Sequence, residues 1–297
     1  MILPDLDWHA IAQHPSVLAG LRTLARITLY TGLTFALFYA LELWQGADMR
    51  RYWTKAAFND ALYRVFYLSG LVSVLIYAPL AAALRPYLPW TIPPVFTTLP
   101  LPVGIVVGFL VQDFAAYWYH RFQHSRVWWR FHRLHHSAEE LTFLTVNRAH
   151  PVDILMGEQF SVMLAMLGAP PALWLPYRLV SAFLIASFHS ALPWHYGPLA
   201  KVIVSPVFHA VHHSRDAAHY NRNFGSVLAI WDVMFGTAVL TTTRPTRFGL
   251  DDYEAPESIP LQLVEPVWGL FRPFVTPRTR ASAAAPVAAP DHASPPS

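Results

Sequence analysis

The chain has 297 residues, 54% of them hydrophobic and 13% charged, with a formal net charge of +3. Soluble globular domains carry about 25% charged residues, so this composition argues for a membrane. The small positive excess suits charge flanking membrane spans rather than a nucleic-acid surface. Cysteine is absent, which excludes disulfides, iron–sulfur clusters, thiolate-bound zinc and haem-thiolate chemistry.

The opening stretch, MILPDLDWHAIAQHP, is acidic and holds no short apolar run ending in small residues, so no removable signal peptide is expected. A first uncharged run of 15 residues lies between Arg26 and Glu42, and one of 20 between Arg64 and Arg85. Arg85 to Asp113 bounds 27 more, Glu158 to Arg178 bounds 19, and Arg178 to Lys201 bounds 22 that include two histidines. Roughly 20 apolar residues cross about 30 Å of hydrocarbon as a helix. The expectation is an all-α, multi-pass helical bundle of four to five spans, the first run being the least regular of them.

Arg50, Arg51, Lys55 and Arg64 separate the first two runs, whereas Arg85 alone separates the second from the third. Arg121, Arg126, Arg130, Arg133 and Arg148 follow the third. The bias of Arg and Lys to the cytoplasmic side then places the 42–64 loop and the segment after about residue 120 on one, cytoplasmic, face. Pro170 and Pro171 interrupt the fourth run, and a tight hairpin turn around Pro176 is expected to join it to the fifth. The tail from about 276 is rich in Pro, Ala and Ser and reads as disordered. The expected division is 1–100 N-terminal helices, 101–245 catalytic domain, 246–275 C-terminal extension and 276–297 tail.

Twelve of the fifteen histidines fall within residues 120–219. They group as His120-x-x-x-His124, His132-x-x-His135-His136, a lone His189, and His209-x-x-His212-His213. On helices, spacings of three and four stack side chains on one face, as metal ligation requires. One ion cannot use eight boxed imidazoles plus His189, so two metals are expected. All-nitrogen ligation suits iron, copper or zinc rather than magnesium or calcium. Asp113, Tyr117, His120 and His124 share one helix face. Asp113 is the first candidate to accept the second N–H of a ligating histidine, with an ion pair to an arginine as the alternative. His9, His14 and His292 read as packed or surface residues, and His150, His195 and His219 as either supporting or surface groups.

This order of boxes, with the flanking DFAAYWYHRFQH, RFHRLHHS, NRAHP, SPVFHAVHHSRD, NRNFG and IWDVMFGT, resembles the fatty acid hydroxylase / sterol desaturase superfamily of membrane di-iron enzymes. The resemblance covers roughly residues 105–240. It implies a cytoplasmic helical cap in which His120, His124, His132, His135, His136, His209, His212 and His213 hold two iron ions, with His189 at the family's lone position. It also implies supporting roles for Asn223 and Asp232; Asn221 departs from the pattern, since an aspartate is common there. The implied activity is O2-dependent hydroxylation or desaturation of a lipid such as a sterol or a fatty acyl or alkyl chain, hydroxylation being favoured. No Gly-rich dinucleotide or flavin motif is present, so electrons are expected from a separate donor of the cytochrome b5 or ferredoxin type. Two alternatives stay open: a membrane zinc hydrolase recruiting Glu139 or Glu140, although no H-E-x-x-H is present, and a haem or metal-binding membrane protein. The excess of arginine over lysine and the abundance of Ala and Pro are compatible with a bacterial inner membrane.

Overall fold

The computed structural model describes residues 15–68, 79, 82–83, 85–87, 99–154 and 170–275. Its helices are α1 (Pro15–Trp44), α2 (Lys55–Leu68), α3 (Leu101–Gln123), α4 (Trp129–His136), α5 (Pro171–His189), α6 (Pro206–His212), α7 (Ile230–Met234) and α8 (Ile259–Val275). Among the described residues there is no strand, only the isolated antiparallel bridges Ile203–Leu228 and Ser214–Phe248. The N-terminal 14 residues, most of the second and fourth apolar runs, the Pro-rich start of the third and the tail from 276 lie outside the described residues.

Among the described residues, two helices are long and apolar enough to cross a membrane, Leu101–Gln123 and Ala172–His189. α1, which carries Arg22, Arg26 and Glu42, is not one of them. α3 exposes Val103, Val106, Leu110, Phe114, Trp118 and Phe122, and α5 exposes Leu175, Leu179, Val180 and Phe183. The faces turned inward carry Gln112, Asp113 and Tyr117 on α3 and Ser181 and Ser187 on α5. A helix on the surface of a water-soluble domain is apolar inward and polar outward; α3 is arranged the other way round, whereas α5 is apolar outward and also buries Leu173, Ala186 and Phe188.

α3 and α5 approach closely because α3 offers two glycines one turn apart. A Cβ on Gly104 would meet Leu173 Cδ2 at 2.8 Å, and one on Gly108 would meet the Leu173 carbonyl oxygen at 2.2 Å. Gln112 Nε2 closes the crossing by donating to the carbonyls of Gly108 (2.9 Å) and Leu173 (3.2 Å). Small residues spaced by four are the usual means of close helix packing in lipid.

The break expected at Pro176 is corrected: α5 begins at Pro171 and contains Pro176. Proline is tolerated in the first turn, where its missing N–H has no intrahelical partner. Pro176 lies early enough that its main effect is on the carbonyl of Ala172, one turn back. Pro170 is extended, with ψ 144°, and so marks the actual boundary.

The 42–64 loop and the segment after residue 120 meet. Tyr52 packs with Phe38, Phe143, Leu144, Ala186 and Leu192 in one cluster. Asp60 on α2 takes two hydrogen bonds from Arg148, at 2.6 and 2.9 Å, with both residues buried. α8 docks on the same assembly: Tyr63 donates to Gln262 Oε1 (2.8 Å), and His150 Nε2 donates to the carbonyl of Leu263 (2.8 Å).

Gly108→Ala should destabilise the detergent-solubilised protein by about 1–3 kcal/mol, because a carbonyl in the neighbouring backbone must move. Gly32→Ala on α1, where an added Cβ meets nothing within 4 Å, should be neutral or stabilising by up to about 1 kcal/mol. Thermal unfolding of the two variants checks this, and equal effects would count against the close crossing.

Candidate metal centre

Four helix ends converge at the polar pole of the α3–α5 pair. α3 ends by placing His120 in its last turn and His124 at its C-cap. α5 ends on His189. α4 is a short helix carrying His132, His135 and His136. α6 starts where Ser205 accepts the N–H of Phe208 (3.1 Å) and Pro206 occupies the first turn, and it carries His209 and His212 with His213 at its C-cap.

The nine histidines form two groups. His120, His124, His132, His136 and His212 make one; His135, His189, His209 and His213 make the other. Within each group the candidate ligand nitrogens all lie within 4.8 Å of one another. The two H-x-x-H-H copies are used in opposite ways. α4 gives its i, i+4 pair, His132 and His136, to the first group and His135 to the second; the α6 segment gives His212 to the first and the pair His209 and His213 to the second. The groups abut where the rings of His136 and His213 stack, 4.4 Å between centroids.

Hydrogen bonds to carbonyls fix several tautomers, because a carbonyl oxygen only accepts. His120 Nδ1 donates to Phe224 O (2.9 Å), His212 Nδ1 to Arg222 O (2.8 Å), His135 Nδ1 to Arg148 O (3.2 Å) and His189 Nδ1 to Ile185 O (2.8 Å). Each of these rings therefore presents a bare Nε2 lone pair to the interior. His135 and His189 face each other through those nitrogens at 3.1 Å with no proton to share. Nε2 of His124 and of His212 is buried without a hydrogen-bond partner. Burial, reinforced by neighbouring imidazoles, holds His124, His132, His135, His136, His209, His212 and His213 well below the usual histidine pKa. Neutral rings with converging lone pairs fit divalent cations that accept nitrogen ligands, iron, copper and zinc among them.

Among the described residues, one carboxylate bonds a boxed histidine, and it is not the expected one. Asp153 Oδ2 accepts from His132 Nδ1 at 2.9 Å, and its other oxygen accepts from Gln123 Nε2 at 2.6 Å. Burial pushes Asp153 up to about 6, which leaves it ionised at neutral pH. The only sequence signal was its isolation: Asp153 is the sole acid between Glu140 and Glu158.

Asp113, expected to serve a histidine or an arginine, does neither. Its carboxylate accepts from the backbone N–H groups of Val227 and Leu228, both at 3.0 Å, and from the indole of Trp231 at 2.9 Å. A helical side chain covers the turn preceding its own Cα, so Asp113 meets the 227–231 loop before it can reach the histidines.

Asp232 acts at one remove, accepting from Phe224 N (2.8 Å) and Gly225 N (2.7 Å) and so holding the carbonyl that receives His120. Asn223 bonds Phe208 O (2.9 Å), Val239 O (3.0 Å) and Val239 N (2.7 Å), tying α6 to the segment that follows α7. Both Asn221 (φ 56°) and Asn223 (φ 58°) are left-handed, a conformation asparagine tolerates better than most residues. The Asn221 side chain is a polar neighbour of His124. His195 Nδ1 accepts Gly197 N–H at 3.1 Å and, like His150, lies outside both groups.

Glu139 and Glu140 are exposed at the surface, beside Arg215 (3.4 Å) and Arg51 (3.8 Å) respectively.

Asp153→Ala strands a histidine donor and an amide donor in a buried site. It should cost about 1–3 kcal/mol for each group left unpaired, while Asp153→Asn, which keeps an acceptor, should cost less. Chemical unfolding of the two variants in detergent measures the difference, and an Ala variant as stable as the parent would contradict the geometry.

The comparisons with known proteins cover the segment that carries these histidines. The model of the family described as Fatty acid hydroxylase matches residues 105–237. The chain is 35% identical over 140 residues to an ornithine lipid hydroxylase of Rhizobium tropici, covering 46% of this chain and 42% of that protein. It is 34% identical over 134 residues to the human alkylglycerol monooxygenase (44% and 29%) and 29% identical over 160 residues to a methylsterol monooxygenase of Arabidopsis thaliana (47% and 51%). The match thus spans about half or less of the length of each of these relatives. No solved structure matches. The segment that carries all nine grouped histidines is thus the part of this chain that is similar to the fatty acid hydroxylase family.

Proposed function

We propose that the chain is a multi-pass membrane oxygenase that uses two iron ions and O2 to hydroxylate a lipid. One observation carries the reading: nine neutral imidazoles, seven of them buried and His120 and His124 half-buried, converge in two adjoining groups at the end of two helices apolar enough to lie in lipid. The relatives' names point to lipids as the substrate class, as an ornithine lipid hydroxylase, alkylglycerol monooxygenases and methylsterol monooxygenases. The reading extends to four to five spans, with the histidine cap facing the cytoplasm of a bacterium. Electrons come from a separate donor such as cytochrome b5 or a ferredoxin.

His120, His124, His132, His136 and His212 would hold one ion, and His135, His189, His209 and His213 the other. The pair supplies O2 activation, which no side chain offers. What the protein's own groups do can be followed atom by atom. The carbonyls of residues 148, 185, 222 and 224 keep a proton on the outward Nδ1, so that Nε2 stays a ligand. Asp153 makes the His132 ring more basic through the same bond. Phe188 packs on His209 (6.3 Å between centroids), Phe224 on His124 (5.0 Å) and Trp129 on His136 (5.2 Å). These apolar rings keep bulk water from the histidines.

The zinc-hydrolase alternative needs a general base near the metal. Glu139 and Glu140 are turned to solvent and to arginines, which favours the oxygenase.

Three measurements on the purified protein test the reading. Metal analysis should find two irons per chain, the optical spectrum should lack a Soret band, and lipid profiling should find a hydroxylated product. His135→Ala should still insert in the membrane but lose iron and all product. One zinc, a Soret band, or a variant that keeps both iron and turnover would defeat it.

A further inference from the structure

A polar cavity of about 640 Å³ begins at Ser214, the residue after His213, and is lined by two segments, 214–219 and 241–247. Backbone pairing holds the segments together: Arg215 N–H donates to the carbonyl of Arg247 (3.0 Å), and Ser214 bridges to Phe248. Arg215, Arg244, Arg247 and His219 all face this one space. The histidine centre uses none of the four.

Their charges are unequally matched. Arg215 faces Glu139 and Asp251, each at 3.4 Å. Among the described residues, neither Arg244 nor Arg247 is in an ion pair. The one acid of the lining, Asp216, is exposed and accepts the N–H of Ala218 at 3.0 Å. With Arg215 matched, the cavity keeps an excess of positive charge.

Arg244 is fixed in place. One guanidinium nitrogen donates to the carbonyl of Pro206 (3.4 Å), and the group lies over the Phe248 ring at 5.4 Å. Its Nη2 is buried without a hydrogen-bond partner, and so is Nδ1 of His219. Burial lowers Arg244 to about 10, which leaves it charged at neutral pH. Ser214 Oγ accepts the N–H of Asp216 (3.1 Å), and its own proton is free to donate. A guanidinium only donates, so the group that completes this lining must accept several hydrogen bonds and carry negative charge. Water can satisfy the donors singly but does not balance the charge. A phosphate does both, and its oxygens match the fork of an arginine.

We propose that the cavity between residues 214–219 and 241–247 binds a phosphate group through Arg244, Arg247, His219 and Ser214, carried either by a lipid head or by a soluble phosphate. The site goes beyond the oxygenase reading and does not rest on it.

The full-length protein, in detergent and free of phosphate and sulfate, is titrated separately with inorganic phosphate, hexadecyl phosphate and the uncharged 1-O-hexadecylglycerol. Bound ligand is counted by native mass spectrometry, and iron is measured on the same samples. At least one phosphate probe should bind about tenfold or more tightly than the glycerol ether, the scale of one hydrogen bond to a charged group. Tighter binding of hexadecyl phosphate than of inorganic phosphate assigns the site to a lipid head; equal or weaker binding assigns it to a soluble phosphate. Arg247 is exposed, so Arg247→Ser should fold and weaken phosphate binding about tenfold, as should Arg244→Met. Lys201→Ala, the same charge change at an exposed position outside the cavity, should leave binding unchanged. No such preference for either phosphate probe, undiminished binding by Arg247→Ser, or an equal loss in Lys201→Ala would overturn the site. Parent protein that holds iron and oxidises lipid while failing this test leaves the oxygenase reading standing; phosphate binding in protein that never takes up iron does the reverse.

Discussion

Several imidazoles, each forced to keep its proton on the outer nitrogen, point bare lone pairs at one another inside a dry interior. That constraint governs the rest of the molecule. Unprotonated rings in such contact repel, and burial together with mutual charge prevents them from relieving the repulsion by taking up protons. His135 and His189, nitrogen to nitrogen at 3.1 Å, are the sharpest case. Cations between the rings would relieve that repulsion, and their binding would then be coupled to folding.

Irregular backbone does much of the work of holding the rings in place. The receiving carbonyls of Arg222 and Phe224 flank Asn223, a left-handed residue whose side chain is bonded on both sides. Asp232 and Asp113 then hold the loops carrying those carbonyls, each through paired backbone N–H groups. Among the described residues, the buried carboxylates thus serve mainly to fix loops, and only Asp153 bonds a boxed ring. The Asp60–Arg148 pair plays the same part on the other side, since the carbonyl of Arg148 receives His135.

The inverted faces of α3 help to explain how so polar a centre forms in so apolar a chain. Its outward positions take aliphatic and aromatic side chains, and its inward positions carry glycine, glutamine, aspartate and tyrosine. Gly104 and Gly108 bring α3 and α5 close, and this brings the ends bearing His120, His124 and His189 to one place.

The ligand-type residues and their grouping were legible in the sequence, because helical spacing of three and four is a local property of the chain. The helical class was legible for a similar reason: hydropathy runs are read along the chain. What partners each ring was not legible, since a hydrogen bond such as His132 to Asp153 joins residues from different elements. Asp113 looked like a partner because it shares a helix face with His120 and His124, but helix geometry alone does not say which loop reaches it first. Pro176 looked like a turn because proline usually ends helices, yet it lies inside α5, past the first turn, and the helix continues through it. The division of nine histidines into five and four was decided only by tertiary structure, because it depends on how α4 and α6 are rotated against each other, and rotation about a helix axis is set by packing rather than by spacing.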